Sequence, residues 1–171
     1  MPNLGTSQNQ KTDACVPEGV MSRLQRLADE LEITQLRGRY CDLLDSQQWG
    51  PFVELFTEDG VFEGIDRAAG REEISRFFSE DVPAMAEGFW HFCTNGTVSI
   101  EGDQATGRIS MLYLSVSGGK SYVSAGHYDD EMVRTVQGWR FSSRKISFYF
   151  YSELKDGFCG KPPMPLLGWP N

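Results

Sequence analysis

The sequence predicts an α+β fold in which helices come first and a meander of strands follows. Helical periodicity dominates the first half of the chain, whereas the second half holds four long runs rich in β-branched and aromatic residues. Short Gly-containing segments suited to tight turns separate these runs, so consecutive runs should pair antiparallel. This order predicts one curved, antiparallel-rich sheet with the helices packed on one of its faces.

Apolar residues recur at three- and four-residue spacing over residues 21–45, which predicts an amphipathic first helix. Residues 51–56 read as a short second helix with proline at its first position. A turn at residues 57–60 and a short strand at residues 61–65 should follow. The inward-facing residues of the first helix are predicted to include Leu24, Leu27, Leu31, Ile33 and Leu36.

A third helix is expected to begin at Gly70, because acidic residues in its first turn suit the helix dipole. Ile74, Phe77 and Phe78 should face inward, and Pro83 should end or kink this helix. The strand runs are FWHFCTNGTVSI, QATGRISMLYLSV, SYVSAGHYDDEMVRTV and WRFSSRKISFYFYSEL, joined by turns at EGDQ, SGGK and QG.

The chain of 171 residues is predicted to form one domain over residues 21–155. Residues 1–20 are polar and read as a flexible leader. Residues 156–171 read as an extended Pro/Gly-rich tail. This tail is expected to dock on the domain or on a neighbouring subunit, because it carries Met164, Leu166, Leu167 and Trp169.

The composition argues against several kinds of partner. A net charge of −8 and a pI near 4.8 disfavour nucleic acid and anionic membranes. The four cysteines are widely spaced and form no CxxC pair, so we expect no metal site. Neither an apolar run of membrane-spanning length nor a secretory signal is visible, and a cytoplasmic protein with reduced thiols is expected.

Two candidate functional groups lie on the inward side of the first helix. The pattern places Tyr40 and Asp45 near its core-facing side, together with Leu44. A buried carboxylate is costly unless it is paired. Asp45 therefore either caps the helix end or has a partner elsewhere in the chain.

Histidine and arginine on the strands are candidates for that partnership. Strand alternation puts His91, Cys93 and Asn95 on one face of FWHFCTN, either towards solvent or along a pocket. The second histidine, His127, has a lower functional weight. Arg144 shares an otherwise apolar face, where it either binds a carboxylate or an oxygen-bearing ligand, or extends to the sheet edge.

Taken in order, the motifs RYCDLLDSQQW, ELFTEDGVFEG, GREEISRFF and HFCTN, with the final W-R-F…R strand, resemble the SnoaL-like branch of the nuclear transport factor two-like superfamily. The pattern R-Y-x-x-x-x-D-S-x-x-W resembles bile-acid dehydratases. The H-x-x-T-N strand resembles hexachlorocyclohexane dehydrochlorinase and, more distantly, scytalone dehydratase. The resemblance implies a cone-shaped α+β barrel whose sheet wraps around the N-terminal helices.

The resemblance also implies a site. In such enzymes a helix tyrosine, an aspartate five residues later and a strand histidine meet inside the cone, and the matching residues are Tyr40, Asp45 and His91. Arg144 matches a late-strand arginine of the dehydrochlorinase. Asp45 would then orient His91, and Ser46 would close the helix. Residues expected to contact substrate are Phe62, Trp90, Cys93, Asn95, Tyr113, Tyr128 and Phe148.

These observations predict a cofactor-independent lyase that carries out dehydratase-type β-elimination on an apolar polycyclic or aromatic small molecule. An isomerase or cyclase using the same residues is an alternative, and so is a non-catalytic small-molecule-binding protein. Apolar residues on both faces of the later strands predict a homo-oligomer. The resemblance favours a trimer, although a dimer is possible.

Overall fold

The computed structural model describes residues 17–155. Residues 1–16 of the predicted leader and the predicted tail at 156–171 lie outside the described residues. Within the described part, no helix is long and apolar enough to cross a membrane. The elements are α1 (Glu18–Asp45), α2 (Trp49–Val53), β1 (Phe56–Glu63), β2 (Arg67–Ala69), α3 (Gly70–Arg76), a π-helical turn (Phe77–Asp81), α4 (Val82–Met85), β3 (Gly88–Glu101), β4 (Gln104–Ser117), β5 (Lys120–Thr135) and β6 (Gly138–Glu153).

The six strands form one curved sheet in the order β2-β1-β6-β5-β4-β3. The predicted antiparallel meander is present as β3 to β6, and the α+β class is confirmed. Gly118 and Gly119 both have positive φ in the β4–β5 turn, as a two-residue hairpin of the primed type requires. The sheet is nevertheless mixed, because β1 pairs parallel to β6.

The predicted boundaries around β1 are wrong. The second helix ends at Val53, and β1 begins at Phe56 and continues through residues 57–60, where we expected a turn. An irregularity in the pairing with β6 between Phe56 and Val61 accommodates these residues within the strand. The short strand β2 was not predicted.

The first helix is longer and less buried than predicted. It begins at Glu18 and ends at Asp45, where the Ser46 hydroxyl donates a hydrogen bond to the Asp42 carbonyl. A helix of 28 residues is about 42 Å long, more than a domain of this size can cover. Contrary to expectation, most of its first half is therefore exposed, including Leu24, Leu27 and Leu31.

The second half of α1 lies in the core, where Ile33, Leu36 and Leu44 are buried as their spacing predicts. After α3, the chain forms a π-helical turn that buries Phe77 and Phe78. Pro83 does not end the helical segment, because it lies in the first turn of α4, where a missing amide is tolerated. Side chains of α1 and of the Phe77–Asp81 turn both line a cavity between the helices and the sheet.

Candidate active site

A cavity of about 370 Å³ lies between the helices and the inner face of the sheet. Most of its wall is apolar, and the polar groups are one histidine and four tyrosines. Among the described residues, no aspartate, glutamate, lysine or arginine side chain lines it. The lining residues are Tyr40, Leu44, Phe62, Ile65, Phe77, Phe78, Val82, Met85, Ala86, Phe89, His91, Tyr113, Tyr128, Ile146, Phe148 and Tyr151.

Asp45 and His91 form a hydrogen-bonded pair at the wall of this cavity. One carboxylate oxygen of Asp45 lies 2.6 Å from Nδ1 of His91, and the other accepts the backbone N–H of His91 at 2.8 Å. An ionised carboxylate only accepts hydrogen bonds, so Nδ1 carries the proton. Nε2 of His91 is then the ring nitrogen left with a lone pair for a ligand in the cavity.

The local structure explains why the Asp45 carboxylate and the His91 imidazole are held in a fixed orientation. Asp45 is the last residue of α1, and Ser46 closes the helix in its place, which leaves the Asp45 carboxylate to turn towards β3. The double contact with backbone and ring fixes the rotation of the His91 side chain, which is only 9% exposed. The Tyr113 ring packs on the imidazole, with ring centroids 4.9 Å apart.

Tyr40 lies deeper in the cavity than the pair. Its ring is fully buried and contacts several aromatic rings, including Phe52 at 5.0 Å and Tyr128 at 5.7 Å between centroids. Burial raises the pKa of Tyr40 well above its usual range, and burial does the same for Tyr128. Both phenols therefore keep their protons and can act as hydrogen-bond donors at neutral pH.

Arg144 does not line the cavity, contrary to the role implied by the resemblance. Its guanidinium is fully buried against three aromatic rings, about 4.1 Å from the ring centre of Tyr40 and 4.2 Å from those of Tyr128 and Phe141. The sequence left two alternatives for Arg144, an oxygen-bearing partner such as a carboxylate or a position at the sheet edge, and the structure shows a carboxylate partner. Asp130 accepts hydrogen bonds from Nε at 2.8 Å and from Nη2 at 3.2 Å.

A second buried arginine shares the same carboxylate. Arg37 donates to Asp130 at 2.9 Å and to the carbonyl of Thr97 at 3.3 Å. Arg37, Asp130 and Arg144 thus form a buried triad of two cations and one anion, and its excess positive charge lies behind Tyr40 and Tyr128. The sequence pattern did not reveal Arg37 and Asp130, because their contact spans 93 residues.

Three predicted substrate contacts fall outside the cavity. Trp90 is on the outer face of β3 and is 43% exposed. Cys93 is on the inner face, but its sulfur contacts that of Cys41 at 3.4 Å; this hydrogen bond, together with burial, raises the pKa of the Cys41 thiol. Asn95 is exposed with a positive φ, because a bulge between Thr94 and Thr97 interrupts the alternation that grouped it with His91.

The remaining predicted contacts, Phe62, Tyr113, Tyr128 and Phe148, do line the cavity. Tyr151 lines it as well but was not predicted. Strand alternation from Phe148 would turn Tyr151 outward. A register shift in the β5–β6 pairing, where Phe148 faces Gly126 and Phe150 faces Ala125, brings it inward instead.

The fold and the site together define a SnoaL-like protein. The model of the SnoaL-like domain family matches residues 25–145, so the chain belongs to this family. An uncharacterized protein of Mycobacterium tuberculosis is 29% identical over 132 residues, covering 72% of this chain and 88% of that protein. The gamma-hexachlorocyclohexane dehydrochlorinase of Sphingobium indicum is 27% identical over 148 residues, covering 84% of this chain and 94% of the dehydrochlorinase.

Solved structures agree with this assignment. The crystal structure of LinA aligns with a TM-score of 0.77 at 25% identity, covering 83% of this chain and 99% of that chain. An NTF2-like protein with a cystatin-like fold from Novosphingobium aromaticivorans aligns with a TM-score of 0.69 at 31% identity, covering 80% and 92%. The predicted superfamily and fold are confirmed.

Proposed function

We propose that this protein is a cofactor-independent lyase that eliminates water, or another β-leaving group, from a neutral apolar polycyclic or aromatic molecule. The observation that supports the proposal best is the Asp45–His91 pair at the wall of an apolar cavity. The cavity is within the size range of small-molecule sites, and none of its described lining residues is a charged Asp, Glu, Lys or Arg that would meet an ionic substrate.

In the proposed reaction, Nε2 of His91 takes a proton from a carbon next to a carbonyl group. The electrons of the broken C–H bond form the new double bond, and the β-substituent departs with its bonding pair. A departing hydroxide takes the proton back from Nε2 of the His91 imidazolium and leaves as water, whereas a halide leaves as the anion and the imidazolium then loses its proton to solvent. Asp45 stabilises the imidazolium that forms, and the apolar surroundings strengthen this interaction. General-base assistance of this kind is worth about 100- to 10,000-fold in rate.

Tyr40 is proposed as the acid that donates a hydrogen bond to the carbonyl oxygen as negative charge develops there. Arg144 contacts the face of the Tyr40 ring, so it does not reach the substrate in this arrangement. Its proposed role is indirect. The excess positive charge of the triad of Arg37, Asp130 and Arg144 favours negative charge at the Tyr40 end of the cavity.

The similarity to a dehydrochlorinase is consistent with an elimination. Two probe compounds test the proposal. The first, 3-hydroxy-1-tetralone, is a neutral bicyclic β-hydroxyketone of the proposed class that yields 1-naphthol on loss of water. The second, gamma-hexachlorocyclohexane, has no carbonyl group and tests whether the same base eliminates another β-leaving group. Mass spectrometry should show a product lighter than one of the probes by one water or one HCl. A product of unchanged mass would instead identify an isomerase or cyclase, and binding of both probes without turnover would favour a binding protein.

We also propose that the protein forms a homo-oligomer through the outer face of the sheet. There Phe92 lies opposite Leu112, Leu112 opposite Ala125, and Ala125 opposite Phe150, so apolar side chains form a row across four strands. Phe92, Leu112 and Phe150 are 51%, 43% and 50% exposed, which is a large apolar surface to leave in water. A trimer is favoured over a dimer by the family resemblance alone.

Replacing Phe92 by Glu is expected to dissociate the oligomer, because it places a charge at the β3 end of this apolar row. Sedimentation velocity at micromolar concentration should show a shift to the monomer. Val136→Glu is the matched control: Val136 is fully exposed in the β5–β6 turn, and its replacement should leave sedimentation unchanged. A monomeric unmodified protein would reject the proposed oligomer.

A further inference from the structure

The inner face of the sheet carries a transverse row of polar side chains at the level of His91. In the pairing register, His91 of β3 lies opposite Tyr113 of β4, Tyr113 opposite Ser124 of β5, and Ser124 opposite Tyr151 of β6. Three of the four, His91, Tyr113 and Tyr151, line the cavity. The Ser124 hydroxyl donates to the carbonyl of Phe150, so the two tyrosine hydroxyls are the candidates for a ligand.

Both tyrosines are held in place by neighbours. The Tyr113 ring packs on the His91 imidazole. The Tyr151 ring stacks on Tyr122, with centroids 5.0 Å apart and planes 17° apart, and its hydroxyl lies 3.2 Å from that of the fully buried Ser115. Burial raises the pKa of Tyr113, which therefore keeps its proton. Preorganised hydroxyls lose little freedom on binding a ligand oxygen.

This pair is separated from Tyr40 along the cavity. Tyr40 and Asp45 are five residues apart on α1, which is about 7.5 Å along the helix axis. Since Asp45 holds His91, the row that contains Tyr113 and Tyr151 lies at the Asp45 end of this helix segment and not at the Tyr40 end. Apart from Tyr128, the remaining lining residues within 17–155 are apolar and offer no side-chain partner to a substrate oxygen.

We propose that Tyr113 and Tyr151 form a second oxygen-binding subsite, and that the substrate is a neutral ring compound with two oxygens, one at each end. This rests on the proposed function, in which Tyr40 binds the reacting carbonyl. The second oxygen is bound at the level of the base, so it orients the ring system with its acidic C–H towards Nε2 of His91. Tyr113 and Tyr151 are thus positioning residues that favour dioxygenated substrates over mono-oxygenated ones.

Calorimetric titration with 2-naphthol and 2,6-dihydroxynaphthalene tests the subsite without turnover. The two ligands share one ring system and differ by one hydroxyl. The unmodified protein should bind the diol about 5- to 10-fold more tightly, the usual value of one added hydrogen bond. In the double variant Tyr113→Phe/Tyr151→Phe this ratio should fall to about two or less. Only one polar end of the cavity then remains, and the diol keeps only the advantage that either of its two hydroxyls can bind there.

Tyr122→Phe is the control, since it keeps the ring that stacks on Tyr151 and removes a hydroxyl outside the cavity lining. It should keep the full ratio. An unchanged ratio in the double variant, equal affinities in the unmodified protein, or binding of neither naphthol would overturn the subsite. The proposed elimination is scored separately by product mass, so either idea can fail while the other stands.

Discussion

Replacing Asp45 by Asn is expected to lower the turnover number about 100- to 10,000-fold, with little change in substrate binding. An asparagine can still accept the backbone N–H of His91 through its amide oxygen. Its amide nitrogen, however, is a donor, and it would face Nδ1 in place of the acceptor that is now 2.6 Å away. The neutral imidazole then carries its proton on Nε2 in place of Nδ1, and Nε2 no longer has the lone pair that the reaction needs.

The measurement is kcat and KM on whichever probe the protein converts. His91→Ala should cost at least as much in kcat, and the double variant should be little worse than His91→Ala alone, because the two residues act as a unit. Asp42→Asn is the matched control, being the same change on an exposed residue of the same helix. Full activity in Asp45→Asn would rule out the orienting role.

Replacing Asp130 by Ala is expected to cost about 3–5 kcal/mol of unfolding free energy. Asp130 is the carboxylate that bridges two buried guanidiniums, so its loss leaves the charges of Arg37 and Arg144 facing each other in the interior. Denaturant unfolding monitored by circular dichroism measures the loss. Asp129→Ala, one residue away and paired with Arg108 at the surface, should leave the unfolding midpoint nearly unchanged.

Arg144→Met distinguishes electrostatics from packing in this triad. It keeps much of the side-chain volume against the aromatic rings and leaves Asp130 paired with Arg37. The loss of stability should therefore be smaller than for Asp130→Ala. If Arg144→Met proved the more damaging, the contacts of its guanidinium with Tyr40, Tyr128 and Phe141 would be the main source of stability.

Local patterns were sufficient to predict the central residues of the site. Helical spacing placed Tyr40 and Asp45 on the inward side of one helix, and strand alternation put His91 on a polar face, because each pattern depends on a few neighbouring residues. The order of helices and strands predicted the meander. The family resemblance then supplied the juxtaposition of Asp45 and His91, which lie 46 residues apart.

Features that depend on register and long-range pairing were not predictable in the same way. The bulge that includes Asn95 and the shift that brings Tyr151 inward each reverse the alternation beyond them, and neither has a clear local signal. The burial of Arg144 depends on Asp130, a residue of the neighbouring strand. The parallel pairing of β1 with β6 likewise joins distant segments, so the sequence order suggested only the antiparallel part of the sheet.

The tautomer of His91, read from the ¹⁵N chemical shifts of its imidazole at alkaline pH, tests the orienting role of Asp45 most directly. The chain has only two histidines, so a His127→Gln variant assigns the signals. We predict a proton on Nδ1 and a bare Nε2 in the unmodified protein, and loss of this preference in Asp45→Asn. A proton on Nε2, or spectra that Asp45→Asn leaves unchanged, would contradict the assignment of His91 as a base oriented by Asp45.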